Sequence, residues 1–506
     1  MFKHIENPTR PQFHFSPPAN WMNDPNGMVF YKGEYHLFYQ YHPGGYPAGS
    51  QYTDSLLWGP MHWGHAVSRD LVHWEHLPVA LYPDGSPEDT PVRGMIFSGS
   101  AVIDWKNTSG FRTGDEDVMV AMFTLADTPD ARNQRQGIAY SNDRGRTWTK
   151  YAGNPVIANQ GVPDFRDPKV FWHEDTQRWV MVITADKRVE FYASSDLKNW
   201  TLTGEFGPEG APGFPWECPD LFELPVDGDL GRRKWVLTVC IQNSALHGGS
   251  AIQYFIGHFD GSRFHNDNPP DRIQWLDYGR DNYAGVTWSD HPDNDRQRLF
   301  IGWMSNLDYA STIPAQTARG AMTLPRTLML KTLPDGIITL ASEPLPALAS
   351  LRHEPGLLHL ENKKVLRSRA LPAGEKLEIV AEFLVDESTT ATEFGFKLRQ
   401  AEGYETLIGY TPGTRNLFVD RNRSGSFAFK NDQGRHAAPM EPVNGVIRIH
   451  IFLDRTSVEV FGNSGQRVLT DLVFPSVDAT GAELYSSAGS VMLRALTIYE
   501  LNSIYS

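Results

Sequence analysis

The chain has 506 residues, of which 40% are hydrophobic and 21% charged, a composition typical of a folded protein and too apolar for a disordered one. Its 46 basic and 60 acidic side chains give a net charge of −14, which argues against nucleic acid, anionic membranes and anionic substrates as partners. No apolar run approaches the ~18 residues of a membrane-spanning helix, and the N-terminal segment lacks the apolar core of a signal peptide. We therefore expect a cytoplasmic protein, or a secreted one whose leader was removed, with Cys218 and Cys240 as free thiols.

Pairs of short apolar runs separated by a polar turn recur along the first two thirds of the chain. Five such units lie at 27–41, 97–126, 167–185, 217–242 and 283–306. Three of them are followed by a segment with Ser-x-Asp and then Trp, in which we expect Asp to bind the turn backbone and Trp to pack between sheets. Five repeats of a three- or four-stranded meander predict a five-bladed β-propeller over residues 1–343.

A Pro- and Leu-rich stretch then interrupts the repeat, and we interpret residues 344–362 as a linker. Beyond it the strands alternate cleanly, as in 445–454, where Ile447, Ile449, Ile451 and Leu453 share one face. The opposite face carries polar side chains. This pattern predicts a β-sandwich over residues 363–506, so the fold class is all-β with two domains.

Three acidic residues occupy equivalent places in the repeats, at the start of the first apolar strand. They are Asp24 in WMNDPNG, Asp167 in DFRDPKV and Glu217 in WECPDLF. The first strands of propeller blades line the central axis, so we expect the three carboxyl groups to converge there. Converging carboxylates suit glycoside hydrolysis, in which one acid is protonated and another ionised. A Ca²⁺ site is the alternative use, but no DxDxDG-type loop is present, and we predict neither a metal nor a cofactor.

The motifs WMNDPNG, FRDPK and WECPDLF, together with WGHAVSRDLVHW, FSGS, DYGRDNYAG and GWMSN, resemble glycoside hydrolase family 32 over nearly the whole chain. That family contains invertases, inulinases and levanases that act on β-fructofuranosides. The resemblance implies a retaining, exo-acting β-fructosidase for levan, inulin, fructo-oligosaccharides and sucrose. It implies Asp24 as nucleophile, Glu217 as acid and base, and Asp167 as the residue that holds sugar hydroxyls and stabilises the transition state. Retention predicts nucleophile and acid carboxyl groups ~5–5.5 Å apart.

Matching motif positions imply further residues of a fructose pocket. They are Asn23, Gln40, Trp58, Ser98, Arg166 and Tyr283 as binders, with Phe97 and Trp303 as apolar walls. We expect Asn23 and nearby backbone N–H groups to keep Asp24 ionised. We also expect Trp216 and Cys218 to desolvate Glu217 and favour its protonated form.

The sequence departs from the family pattern at four places. The segment 44–60 is longer than usual, and Leu307, Ala318 and Asn282 stand where aromatic residues are commoner. We hypothesise that the three replacements reshape the leaving-group side of the pocket. Alternative functions are an invertase restricted to sucrose and short oligosaccharides, an endo-acting or disaccharide-releasing levanase, a related five-bladed pentosidase, and a non-catalytic fructan-binding protein. The expected partner is a fructoside, with the protein as monomer or homodimer and the role of the sandwich open.

Overall fold

The structure is a computed structural model that describes residues 8–47, 50–85, 92–127, 133–432 and 434–505. Almost all of its regular structure is β-strand. Four antiparallel strands, consecutive in the chain, form each of the first four blades. Blade 1 contains β1 (Asn20–Tyr31), β2 (Glu34–His42), β3 (His62–Ser68) and β4 (Trp74–Leu81). Blade 2 contains β5 (Met95–Asp104), β6 (Val118–Ala126), β7 (Arg135–Ser141) and β8 (Thr149–Lys150).

Blade 3 contains β9 (Phe165–His173), β10 (Arg178–Ala185), β11 (Arg188–Ser194) and β12 (Thr201–Phe206). Blade 4 contains β13 (Trp216–Val226), β14 (Asp229–Ile241), β15 (Ala251–Phe259) and β16 (Phe264–Asn266). Blade 5 contains β17 (Tyr283–Thr287), β18 (Arg298–Trp303), β20 (Arg326–Thr332) and β21 (Ile338–Pro344). The short strand β19 (Ala318–Arg319) pairs in parallel with the start of β1 and so joins the last blade to the first.

The innermost strand of each blade is interrupted by a β-bulge near its beginning. The register breaks fall at Met22–Pro25, Ile96–Gly99, Arg166–Lys169, Glu217–Asp220 and Tyr283–Val286. A bulge removes residues from the ladder and bends the strand, so it can redirect side chains out of the plane of the sheet. The fold thereby turns a short segment of every blade toward the same end of the axis.

The Ser-x-Asp repeat has the structural role predicted for it. In blade 1, Asp70 Oδ1 accepts hydrogen bonds from the backbone N–H groups of Val72 and His73, at 2.9 and 2.8 Å. In blade 3, Asp196 Oδ1 binds the next turn in the same way, and Trp200 closes it by donating from Nε1 to a backbone carbonyl. Each such turn satisfies backbone donors that the strands leave unpaired.

The predicted linker region contains a short 3₁₀ helix, Pro346–Leu351, and the beginning of a sandwich strand, so its predicted end at 362 falls inside β22. One six-stranded sheet contains β22 (Leu358–Val365), β33 (Val491–Glu500), β24 (Leu377–Leu384), β29 (Val446–Leu453), β30 (Ser457–Gly462) and β31 (Arg467–Leu472). The other contains β23 (Arg369–Ala370), β32 (Gly481–Ser487), β25 (Glu393–Ala401), β26 (Tyr404–Thr411), β27 (Asn416–Arg423) and β28 (Arg435–Pro439). The Ile and Leu face of β29 lies in the apolar core between the sheets, as predicted.

A buried network of ion pairs joins the sandwich to the propeller. Arg326 pairs with Asp277 at 3.0 Å and with Glu459 at 2.5 Å. His14 contacts Glu459 at 2.9 Å and Asp454 at 2.7 Å. Burial alone would lower the pKa of His14, but these two carboxylates raise it to about 9. Buried charges need such partners, and breaking the pairs is strongly destabilising. Among the described residues, no helix is long and apolar enough to cross a membrane.

Candidate active site

A cavity of about 360 Å³ opens at the end of the propeller axis where the innermost strands begin. Side chains from all five blades line it, and most of them belong to the bulged segments. The lining residues are Trp21, Asn23, Asp24, Gln40, Trp58, Phe97, Ser98, Gln134, Asp164, Arg166, Asp167, Glu217, Gln242, Tyr283, Trp303 and Leu307. The cavity therefore brings together carboxylates that are far apart in the chain.

Asp24 is held on both carboxylate oxygens. Ser98 donates its hydroxyl to Oδ2 at 2.6 Å, and the Asn23 amide donates to Oδ1 at 3.0 Å. Burial raises the pKa of Asp24 and the charge on Glu217 adds to this, whereas the hydrogen bonds from Ser98 and Asn23 oppose it. The predicted contact with Asn23 is present, but burial outweighs it. Directly behind Asp24, Gly27 adopts a positive φ of 54°, and a Cβ there would lie 2.6 Å from Phe38, so glycine is required at this turn.

Asp167 and Arg166 form the second part of the site. Burial raises the pKa of Asp167 to about 7, Arg166 opposes this, and the charges of Glu217 and Asp24 add to it. The Arg166 guanidinium lies 3.9 Å from Asp167 Oδ2 and pairs with Asp164 on its other side. Asp167 itself has a positive φ of 66°, which places its carboxylate to accept a hydrogen bond from the Cys218 backbone N–H at 3.0 Å.

Glu217 is surrounded by donors. Arg166 Nη2 and Nε donate to Oε1 at 2.8 and 3.2 Å, and Gln242 Nε2 donates to the same oxygen at 3.1 Å. The hydroxyl of Tyr283 donates to Oε2. The expectation that Trp216 and Cys218 desolvate Glu217 is therefore wrong. Neighbouring residues in a strand point to opposite faces, and Trp216 packs in the apolar core with Phe206 and Phe255.

Cys218 connects two of the carboxylates. Its Sγ lies 3.6 Å from Asp24 Oδ2 and 3.6 Å from Asp167 Oδ2. Contact with Cys240, burial and the two negative charges raise the pKa of the Cys218 thiol well above its usual value. Cys218 therefore stays a neutral thiol that donates weakly to the carboxylates. Both cysteines are free and buried, in agreement with the sequence prediction.

All eleven residues that the sequence nominates line this cavity, although the role of each stays a prediction. Sequence reasoning missed Trp21, Gln134, Asp164 and Gln242. Trp21 and Asp164 lie inside the quoted motifs, whereas nothing in the sequence marks the two glutamines.

The departures from the family pattern have different positions. Leu307 lines the cavity and is 42% exposed. Asn282 is buried and donates to Asp277 at 3.1 Å, and Ala318 lines a separate small crevice. The structure therefore contradicts the hypothesis that all three shape the leaving-group side, and leaves only Leu307 in a position to do so.

The segment 44–60 forms one side of the mouth, apart from residues 48 and 49, which lie outside the described residues. Ser55 fixes it by accepting from the Trp21 backbone N–H at 2.8 Å and by donating its hydroxyl to Asn20 at 2.8 Å. Trp58, 42% exposed, packs edge-on against Phe97 with ring centroids 6.1 Å apart. Within the described part of the chain, no group of three or more His, Cys, Asp or Glu residues has a geometry that would hold a metal ion.

The five-bladed fold and the three axial carboxylates define a glycoside hydrolase of the propeller type. Two family models match the chain: the Glycosyl hydrolases family 32 N-terminal domain over residues 14–344 and the Glycosyl hydrolases family 32 C terminal over residues 348–500. The chain therefore belongs to glycosyl hydrolase family 32, and the predictions of the family and of a propeller followed by a sandwich are confirmed.

Relatives and solved structures agree with this assignment. The chain is 51% identical to a levanase of Bacillus subtilis (strain 168), over 98% of this chain and 71% of that protein. It is 39% identical to an extracellular exo-inulinase of Aspergillus ficuum, over 99% of this chain and 96% of that protein. The crystal structure of exo-inulinase from Aspergillus awamori superposes with a TM-score of 0.92 at 38% identity, covering 100% of both chains. That of a β-fructofuranosidase from Schwanniomyces occidentalis complexed with fructosyl-erythritol gives 0.86 at 31% identity, covering 98% of both.

Proposed function

We propose that the protein is a retaining, exo-acting β-fructosidase that releases terminal fructose from fructans, fructo-oligosaccharides and sucrose. The observation that carries this proposal is the convergence of Asp24, Asp167 and Glu217, from three different blades, in one cavity with Arg166 between two of them. The levanase and exo-inulinase names of its relatives support fructans as the substrate class. We keep the prediction of a monomer or homodimer.

In the first step, Asp24 attacks the anomeric carbon of the terminal fructose while the glycosidic C–O bond breaks. Ser98 and Asn23 orient the attacking carboxylate. Glu217 transfers its proton to the leaving oxygen, which departs with the rest of the chain. In the second step, water gives a proton to Glu217 and attacks the same carbon, and Asp24 is released. Two displacements retain the configuration of the anomeric carbon.

The contacts of Glu217 indicate which of its oxygens carries the proton. Oε1 accepts from Arg166 and Gln242, whereas Oε2 meets only the hydroxyl of Tyr283. A hydroxyl can rotate and accept instead of donating, but a guanidinium cannot. Oε2 is therefore the oxygen that holds the catalytic proton. Arg166 meanwhile fixes the carboxyl group and counterbalances the charge of Asp167.

The shape of the cavity supports attack at the chain end. Below the carboxylates, the axis narrows to a space of about 10 Å³, which has room for roughly one water molecule. The cavity is therefore a pocket with one mouth, and only a terminal sugar can reach Asp24. Directed hydrogen bonds and apolar walls, here Phe97 and Trp303, are typical of sites for neutral sugars.

The variants Asp24→Asn and Glu217→Gln test the roles of these two residues. Each is expected to lower kcat on sucrose by about 10³-fold or more, because no other residue supplies the nucleophile or the proton. Arg188→Gln, an ion-pair variant of blade 3 outside the cavity, is the control and should keep its activity. Near-normal kcat in either active-site variant, with circular dichroism unchanged, would overturn the assignment.

Product analysis separates the alternatives. An exo-acting retaining enzyme releases fructose as its first and main product from levan and inulin, and the first anomer seen by NMR is the β form. Disaccharides or longer fragments early in the time course would support the endo-acting or disaccharide-releasing alternative. Activity on sucrose alone would support the invertase alternative.

A further inference from the structure

A second cavity, of about 610 Å³, lies at the opposite end of the propeller axis, and we call it the distal cavity. It is lined by the far ends of the innermost strands whose beginnings form the active site. In β9, for example, Asp167 lines one cavity and His173, six residues further on, lines the other. At ~3.3 Å per residue, the two cavities are about 20 Å apart.

The two cavities do not form one continuous channel. Lys169 closes the inner end of the distal cavity by donating to Asp220 at 3.1 Å and to the carbonyl of Thr287 at 2.6 Å. Beyond this closure only the narrow space of about 10 Å³ remains. A ligand of the distal cavity therefore cannot be the substrate reaching through from the active site.

Tryptophan rings in fixed orientations line the distal cavity. Trp105 is 51% exposed, and its Nε1 donates to Asp290 at 2.8 Å. Trp172 donates from Nε1 to Glu174 at 2.8 Å. Four tryptophans line the cavity in all. Half-exposed rings held by such bonds offer flat apolar faces beside polar groups, which is the surface that a sugar ring needs.

Polar atoms without a partner also face this cavity. Among the described residues, Asp220 Oδ1, Asn294 Oδ1 and Arg298 Nε are buried and have no hydrogen-bond partner, and all three residues line the cavity. Asp220 is only 1% exposed. Unmet buried donors and acceptors are costly, so a ligand that carries both hydroxyl donors and hydroxyl acceptors would satisfy them.

The charges of the wall favour a neutral ligand. Six carboxylates and four Lys or Arg side chains line the distal cavity, so it has no excess of positive charge for a phosphate or sulfate. The volume lies in the range of small-molecule sites, ~300–1,000 Å³. We propose that the distal cavity is a second, non-catalytic binding site for a β-fructan chain, which tethers polymeric substrate to the enzyme. The choice of fructan as the sugar rests on the function proposed above.

Tethering has a physical benefit for a polymer hydrolase. A chain bound at one site is present at the other at a high effective concentration, provided that it can span the distance between them. A polymer can pass around the rim of the propeller, whereas sucrose cannot reach both sites. The distal cavity is therefore expected to lower KM for levan without changing turnover of sucrose.

The test uses the full-length Asp24→Asn variant, which cannot cleave its ligand, and isothermal titration with β-(2→6)-fructotetraose. We expect two binding sites per chain. Adding Trp105→Ala should leave one site, with the other weakened about tenfold or more. Adding Trp200→Ala, a repeat-turn tryptophan of blade 3 outside both cavities, should leave two. If Trp105→Ala does not fold, Asn294→Leu, which removes an unpartnered amide from the wall, should weaken the distal site about fivefold.

One site in the parent variant, or two unchanged sites after Trp105→Ala or Asn294→Leu, would overturn the inference. Maltotetraose binding that Trp105→Ala abolishes, with no second site for the fructotetraose, would overturn the choice of fructan. In the active enzyme, Trp105→Ala should raise KM for levan severalfold and leave sucrose kinetics unchanged. Failure of the proposed function is recognised separately, because the wild-type enzyme would then release no fructose from any substrate.

Discussion

Replacing Arg166 with Gln removes the positive charge that lies between the carboxylates of the active site. The guanidinium is 3.9 Å from Asp167 Oδ2. At this distance, with an effective dielectric constant of about 20, the attraction is worth at most ~4 kcal/mol. Burial already raises the pKa of Asp167 to about 7 while Arg166 is present. Without Arg166 the pKa rises further, so Asp167 stays protonated over more of the pH range.

The acid limb of the pH profile of kcat/KM reports this change. If ionised Asp167 is required, the limb should move upward by about one to three pH units, because 1.4 kcal/mol corresponds to one unit. At pH 6 we expect kcat/KM on sucrose to fall about 10²–10³-fold, with part of the loss regained at alkaline pH. Initial rates of fructose release between pH 4 and 9 measure both quantities.

Two variants separate charge from geometry. Arg166→Lys keeps the charge but loses the forked donor pair to Glu217, so the acid limb should return toward its wild-type position while kcat stays low. Arg188→Gln removes an ion pair of the same blade outside the cavity, and it should change neither. An unmoved acid limb in Arg166→Gln would refute the electrostatic reasoning, whatever the loss of rate.

Three further variants address single contacts. Tyr283→Phe removes the hydroxyl that faces Glu217 Oε2 and should lower kcat about 10–100-fold, the worth of a hydrogen bond to a charged group; activity within twofold of wild type would contradict this. Leu307→Trp should change the ratio of rates on sucrose, inulin and levan at least threefold, and unchanged ratios would remove Leu307 from specificity. His14→Gln should flatten the dependence of stability on pH. The pKa of His14 is raised to about 9, so its stabilisation is complete below pH ~6.5 and is lost as pH rises through 9, about 3 kcal/mol in all. Denaturant unfolding at pH 6 and 9 measures it, and an undiminished difference in the variant would disprove the role.

The convergence of the carboxylates was predictable because the repeat fixes their place in each blade. Asp24, Asp167 and Glu217 all stand at the start of an innermost strand, and a closed propeller brings these starts to one axis. The bulges that turn the side chains inward were not predictable, since they depend on the pairing partner and not on the strand's own residues. Gln242 illustrates the limit. It lies just after β14 and reaches Glu217 across the blade, with no motif around it.

The wrong expectation for Glu217 has a simple physical origin. It assumed that Trp216, adjacent in sequence, would also be adjacent in the pocket. In a strand, sequence neighbours face opposite sides, so the residues that surround Glu217 come from other strands. They are charged or polar, as Arg166 shows. The immediate sequence context of a carboxyl group in a β-protein therefore says little about its protonation.

The role of the sandwich, which the sequence leaves open, follows from the segment that precedes Tyr283. Asp281 pairs with Arg421 of the sandwich at 2.7 Å and accepts from the Leu472 backbone N–H at 2.8 Å. Its own N–H donates to the carbonyl of Thr470 at 2.9 Å. Tyr283, two residues later, starts β17 and reaches Glu217. The sandwich thus anchors the chain from which the hydroxyl beside the catalytic acid is presented, and the polar residues at this interface serve the active site as well as the joint between the domains.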